Sequence, residues 1–275
     1  MLLLWCDCQL LNPQEFLQPQ QDAQYIKLVT TKILEDLNKK YGCEFREKTV
    51  IGTSFGAMAT LFLADSENTE NTLNIDKFIA VSPPIELKYA LEQLDKNGEE
   101  FDKNSDEVKQ KTAVTAAKIL QLYQLKDAGD LKFEKLPFSE EEGKLITTFI
   151  LRQKLSDLVF TIENVPKNQK TDIYEMINNM SYRDYAERYL GVNTEDAEEL
   201  HNKASLFTLT DYLLSNNNYK IYHSLDDYFV NKEQISKLKT ITGNHLTCLD
   251  CGAHLGFLYR KEFEDSLMKN VKEKW

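Results

Sequence analysis

The sequence predicts an α/β protein: a mostly parallel β-sheet flanked by helices, carrying a large all-helical cap insertion. Three observations predict it. Five short apolar runs, at residues 2–6, 49–52, 77–82, 219–223 and 246–250, lack the apolar/polar alternation of a half-solvated sheet, as strands covered on both faces do. A run of helical periodicity separates the first two, as a parallel crossover requires. Between the third and fourth runs, residues 86–217 contain no strand-like stretch and several helical ones.

Each element has its own reason. In "QDAQYIKLVTTKILEDLNKKYG", the residues Tyr25, Ile26, Val29, Ile33, Leu34, Leu37 and Tyr41 recur every three or four positions, and Gly42 supplies a helix stop. A second helix is expected over about 56–65, and a last one over about 260–274 with Phe263, Leu267, Met268 and Val271 on one face. Inside the insertion, Ser139 and Glu142 form a capping box opening a helix that carries Leu145, Phe149, Leu151, Leu155 and Val159. Residues 171–180 and 183–190 also read as helices, with Gly191 ending the latter. The aromatics Phe133, Phe138, Phe149, Phe160 and Tyr182 of the insertion are expected in its core. The chain is thus expected to divide into a core of residues 1–85 and 218–275 and a cap of residues 86–217.

Composition narrows the function. A formal charge of −11 over 275 residues argues against non-specific binding to nucleic acid or anionic lipid. No apolar stretch approaches the roughly 18 residues that span a bilayer, so no integral membrane segment is expected. The opening "MLLLWCDCQLL" lacks a basic leader and is interrupted by Asp7, which reads as a strand rather than a signal peptide. Five cysteines fall as Cys6, Cys8, Cys43, Cys248 and Cys251. The C-x-C and C-x-x-C pairs could supply four zinc thiolates. Both lie in or beside apolar strand runs, where cysteine is a small apolar filler, so no metal and no cofactor are expected. The odd count and absent leader point to a reducing, cytoplasmic location, unless an export signal lies upstream of the given chain. Nothing in the sequence specifies an oligomeric state.

Chemistry concentrates at "KTVIGTSFGAMATLFLADS", residues 48–66. A strand, then Gly52-Thr53-Ser54-Phe55-Gly56, then a helix puts Ser54 on a sharp turn with its hydroxyl above the carboxyl end of the sheet. The competing reading is a plain strand–helix turn in which that hydroxyl only caps the helix. A nucleophilic serine needs a histidine held by a carboxylate. Of the four histidines, His254 lies in a loop after the last strand, in "CLDCGAHLGF". His201 lies in the insertion and His223 within a strand, both read as structural. His245 precedes its strand, at the wrong end of the sheet. After the fourth apolar run, "SLDDYFVN" offers Asp226 and Asp227; adjacent side chains diverge, so only one can face an imidazole. The chain order of nucleophile, acid and base, each following its own strand, raises all three assignments together.

These features resemble the α/β-hydrolase fold family. Ser54 matches its nucleophile elbow, "SLDDYFVN" is similar to its acid loop, and "GAHLGF" is similar to the loop bearing its general base. The resemblance implies a catalytic set of Ser54, Asp227 and His254, with Asp226 as the alternative acid and the Phe55 N–H as one oxyanion donor. It implies a serine hydrolase cleaving an ester, thioester or amide, with a small acyl-containing substrate or a lipid as its ligand. The likeness begins in the middle of the family's fold: residues 2–6 correspond to its fourth strand, and no His-Gly pair precedes Ser54 to offer a second oxyanion donor. Three explanations fit: a shortened version of a longer product, a minimal variant with residues 7–11 rebuilding the oxyanion loop, or a catalytically weak relative acting as a ligand-binding or interaction protein.

Overall fold

In a computed structural model of the chain, the described residues are 18–42, 45, 47–100, 105–127, 137–162, 166–190 and 196–273. The predicted strand at residues 2–6, the cysteines Cys6, Cys8 and Cys43, Phe133 and Gly191 lie outside them. The elements follow in the order α1 (Pro19–Tyr41), β1 (Thr49–Thr53), α2 (Phe55–Glu70), β2 (Lys77–Val81), α3 (Leu87–Glu100), α4 (Asp106–Asp127), α5 (Glu140–Ile162), α6 (Lys170–Asn179), α7 (Tyr182–Leu190), α8 (Ala197–Lys203), α9 (Thr210–Ser215), β3 (Tyr219–Ser224), α10 (Lys232–Thr242), β4 (Leu246–Leu249) and α11 (Lys261–Lys272). Contacts divide the chain into two compact units: one runs to Ala90 and resumes at Ala186, and the other is Leu91–Tyr185.

The first unit holds a four-stranded sheet, all parallel, in the order β1-β2-β3-β4. Thr53, Val81, Tyr222 and Thr247 lie in one row across it, so every strand delivers its C-terminal loop to the same edge. Successive residues of β2 feed two cores. Phe78 and Ala80 pack with Ala57, Leu61, Tyr219, Ile221 and Leu238 under α2 and α10. Ile79 and Val81 pack with Tyr222, Phe257 and Phe263 under α11. Burial on both faces is why β2 and β3 show no alternation; β1 departs from that expectation, with Ile51 exposed on its outer side.

Local signals place the helices. Pro19 opens α1, where its missing N–H is no loss, and Gly42 closes it at φ +62°, its N–H donating to the Asn38 carbonyl at 2.7 Å. Ile26 and Leu34 of α1 pack on the core, while Ile33 and Tyr41 are exposed. Lys27, buried on α1, meets Glu67 of α2 at 2.9 Å and thereby ties the two helices. A second buried lysine, Lys77 of β2, donates to the carbonyls of Asn270 (3.2 Å), Val271 (2.8 Å) and Glu273, capping the C-terminus of α11 with its charge.

In the Leu91–Tyr185 unit, the capping box has both of its hydrogen bonds: Glu142 N–H to Ser139 Oγ at 3.1 Å and Ser139 N–H to Glu142 Oε2 at 2.8 Å. Arg152 donates to the Ile177 carbonyl at 2.9 Å and lies 4.3 Å from the ring centre of Tyr182. Tyr182 and Val159 are buried, but Phe149, expected in the core, is 68% exposed. Apolar residues surround α5, and packing rather than periodicity selects which of them turn inward.

Candidate active site

Ser54 occupies the turn from β1 into α2 at φ +53°, ψ −128°, outside the regions an L-residue ordinarily adopts. Its backbone is held from both sides. The Ser54 N–H donates to the Val81 carbonyl of β2 at 2.8 Å, and the Ser54 carbonyl accepts from Ala57 N–H at 2.9 Å. Strain of about 1–3 kcal/mol persists only where the surroundings over-determine it, as here. Although Ser54 stands at the N-cap position, its hydroxyl makes no capping hydrogen bond. It meets His254 Nε2 instead, at 2.8 Å.

The two glycines of the turn differ. A Cβ on Gly52 would lie 2.2 Å from the Gly56 carbonyl oxygen and 2.3 Å from Thr60 Oγ1, so β1 approaches α2 too closely for any side chain. A Cβ on Gly56 would meet nothing within 4 Å. Crowding therefore accounts for the first glycine of the motif and not for the second. Phe55 is the first residue of α2, where helix geometry leaves the N–H without an intrahelical acceptor.

His254 lies in the loop after β4. Its Nδ1 is 2.9 Å from Asp227 Oδ2, and Asp227 Oδ1 accepts the Phe229 N–H at 3.0 Å. A carboxylate only accepts, so Nδ1 carries the proton and Nε2 presents its lone pair to Ser54. The imidazole and the carboxylate are almost entirely buried, at 6% and 1% side-chain exposure, which shields their bond from water. Phe229 packs edge-on against the imidazole with ring centres 4.6 Å apart. Burial alone would push the Asp227 carboxyl up, but the charge and hydrogen bond of His254, the charge of His223 and the Phe229 N–H outweigh it and hold the group below the usual carboxylate range.

Asp226 does not stand beside the imidazole. Its Oδ1 accepts the Ala253 N–H at 2.8 Å and its Oδ2 the Gly252 N–H at 3.2 Å. The remaining histidines are structural in their contacts. His201 Nδ1 lies 3.1 Å from Glu86 Oε1. His245, at the opposite end of the sheet, stacks on Tyr219 with 4.7 Å between ring centres. Cys248 and Cys251 are free thiols. Among the described residues, no cluster of three or more His, Cys, Asp or Glu side chains could hold a metal ion, and no helix is long and apolar enough to cross a membrane.

One further histidine, read from the sequence as a structural residue of its strand, adjoins the Asp227 carboxylate. His223 of β3 is fully buried, with Nε2 3.1 Å from the Pro83 carbonyl and Nδ1 3.7 Å from Asp227 Oδ2. Ser224 N–H donates to that Nδ1 at 3.1 Å, so Nε2 is the protonated nitrogen. Burial pushes the His223 pKa down from its ordinary 6.5, more than the nearby carboxylate raises it.

His223 and Asp227 make stability depend on pH in the same direction. Below pH 6.5 the unfolded chain protonates this histidine while the folded protein still resists, so stability falls with pH until the lowered folded pKa is reached. The Asp227 contribution is complete above its ordinary 3.8 and is lost as pH falls through its lower folded pKa. The urea midpoint is therefore expected to decline on acidification in two stages. His223→Gln, which keeps a donor for the Pro83 carbonyl, is expected to flatten the first stage; equal slopes in variant and wild type would refute the assignment.

No protein-family model matches the sequence, and no curated protein matches it. Solved structures do. An esterase from Pyrococcus furiosus aligns over 87% of this chain and 58% of its own, with 12% identity and a TM-score of 0.39. An epoxide hydrolase of the α/β-hydrolase superfamily, from metagenomes of hot environments, aligns over 94% of this chain and 78% of its own, with 14% identity and a TM-score of 0.36. The chain thus spans a little over half the length of the esterase it is similar to.

Proposed function

We propose that the protein is a serine hydrolase that cleaves an ester, thioester or amide through an acyl-enzyme on Ser54. The observation that carries this reading is the continuous row from Ser54 Oγ through the His254 imidazole to Asp227, with both links at hydrogen-bond length. Ser54 Oγ attacks the acyl carbon while His254 Nε2 takes the hydroxyl proton. The tetrahedral oxyanion is steadied by the Phe55 N–H at the start of α2. As the carbonyl reforms, the bond to the leaving group breaks and His254 returns the proton to it. Water then attacks the acyl-enzyme, again losing a proton to Nε2, and the acid product departs as Ser54 recovers its hydrogen. Asp227 fixes the imidazole tautomer and offsets the imidazolium charge from a buried position, where the pair interacts more strongly than it would in water.

The substrate class is a small acyl compound or a lipid. A fluorophosphonate probe followed by peptide mass spectrometry tests the reading. Modification is expected at Ser54, and pre-incubation with a hydrolysable ester is expected to slow it. Folded protein that binds an acyl ligand yet leaves Ser54 unmodified would overturn hydrolysis in favour of a binding protein.

A further inference from the structure

The loop that carries His254 is unusual in its backbone. Gly252, Ala253 and Leu255 all have positive φ, at 142°, 46° and 65°. Two of the three are not glycine, and such residues hold that conformation only when their surroundings impose it. A Cβ on Gly252 would come within 2.6 Å of Phe257 Cβ, and one on Gly256 within 2.4 Å of the Gly252 carbonyl oxygen, so the loop is folded tightly on itself. The loop and the end of β4 are tied to β3 and to the residue that follows β3. Ser224 Oγ donates to the Ala253 carbonyl at 2.6 Å, and the Leu225 N–H donates to the Leu249 carbonyl at 2.9 Å. On the other side, Arg260 donates to the Cys251 carbonyl at 3.0 Å. Asp226 contributes a paired contact to the backbone, one oxygen to each of two consecutive amides.

We propose that Asp226 is a positioning residue: its carboxylate clamps the amides of Gly252 and Ala253 and so holds the His254 imidazole at bonding distance from both Asp227 and Ser54. The proposal rests on the reading of Ser54, His254 and Asp227 as the reacting row. The two adjacent aspartates then divide one task. Asp227 faces inward and fixes the imidazole itself, while Asp226 faces outward and fixes the backbone that carries it. Charge-assisted bonds from a carboxylate to backbone N–H groups are stronger than neutral ones, and a turn with three positive φ values has other conformations to relax into. Because Asp226 is solvent-exposed, its removal leaves the core intact and acts on alignment. Misplacement of a reacting group by about 1 Å lowers rates by about 10²-fold.

Two variants and two readouts test this. Asp226→Ala removes both acceptors. Asp226→Asn is isosteric and retains one acceptor for the Ala253 N–H. In the full chain, the rate of fluorophosphonate modification at Ser54 is expected to fall by about 10²-fold in Asp226→Ala and by less in Asp226→Asn, with the thermal melt unchanged in the latter. The ¹⁵N shifts of the His254 ring, which report the protonated nitrogen whether or not the protein turns over, are expected to change from a single Nδ1–H tautomer to a mixture in the same order. Unchanged ring shifts and unchanged labelling in both variants would overturn the clamp. Absence of labelling in the wild type, with tautomer loss in the variants, would overturn the hydrolase reading and leave the clamp standing.

Discussion

His254→Ala is expected to lower acylation of Ser54 by about a millionfold while leaving the fold intact. The magnitude follows from how such a row works: its members act as a unit, and removing the base alone is nearly as damaging as removing every member. Without an acceptor at Nε2, the Ser54 hydroxyl keeps its proton and is a weak nucleophile near neutral pH. Asp227→Asn is expected to fall short of this, by about 10⁴-fold, because the imidazole stays in place but loses the contact that keeps the proton on Nδ1. Stopped labelling with a fluorophosphonate, read by mass spectrometry alongside far-ultraviolet circular dichroism, separates chemistry from unfolding. A well-folded His254→Ala protein that reacts at the wild-type rate would end the case for activation by that imidazole.

Gly52→Ala is expected to destabilise the protein by about 3 kcal/mol or more, because a methyl group would overlap the Gly56 carbonyl oxygen and Thr60 Oγ1 and force β1 from α2. Against a total stability of about 5–15 kcal/mol, that is a large share. Gly56→Ala, four residues on, adds a methyl group to open space at the start of a helix and is expected to be neutral or stabilising by up to about 1 kcal/mol. Denaturant unfolding of the two variants compares them directly. Equal destabilisation would show that the strand–helix approach is not what selects glycine here.

That pair also shows how far the pattern of residues reaches. G-x-S-x-G reads as two equivalent glycines, yet their difference lies in the distance between an oxygen and an absent carbon, which no spacing encodes. Elements governed by local rules were legible. The Gly42 stop, the Ser139–Glu142 box and the doubly buried runs at β2 and β3 all occur where propensity, capping and burial predict them. The turn after β3 was half legible. Two adjacent acids announce that one faces inward, but the choice depends on the hydrogen bond from the Phe229 N–H and on which loop amides approach, both tertiary facts. His223 and Lys77 were invisible as participants. A histidine inside β3 and a lysine at the start of β2 carry no sequence mark of the carbonyls they meet 140 and 193 residues away.

The hydroxyl of Ser54 and the imidazole that meets it are separated by 200 positions along the polypeptide. At about 5–20 residues per second, a ribosome delivers the second roughly 10–40 s after the first. During that interval the serine is an ordinary alcohol on an unfinished sheet, with nothing to draw its hydrogen away. On the proposed reading of Ser54, reactivity therefore arrives with β4, and a nascent protein carries no chemical hazard for its neighbours until that strand and its loop have docked.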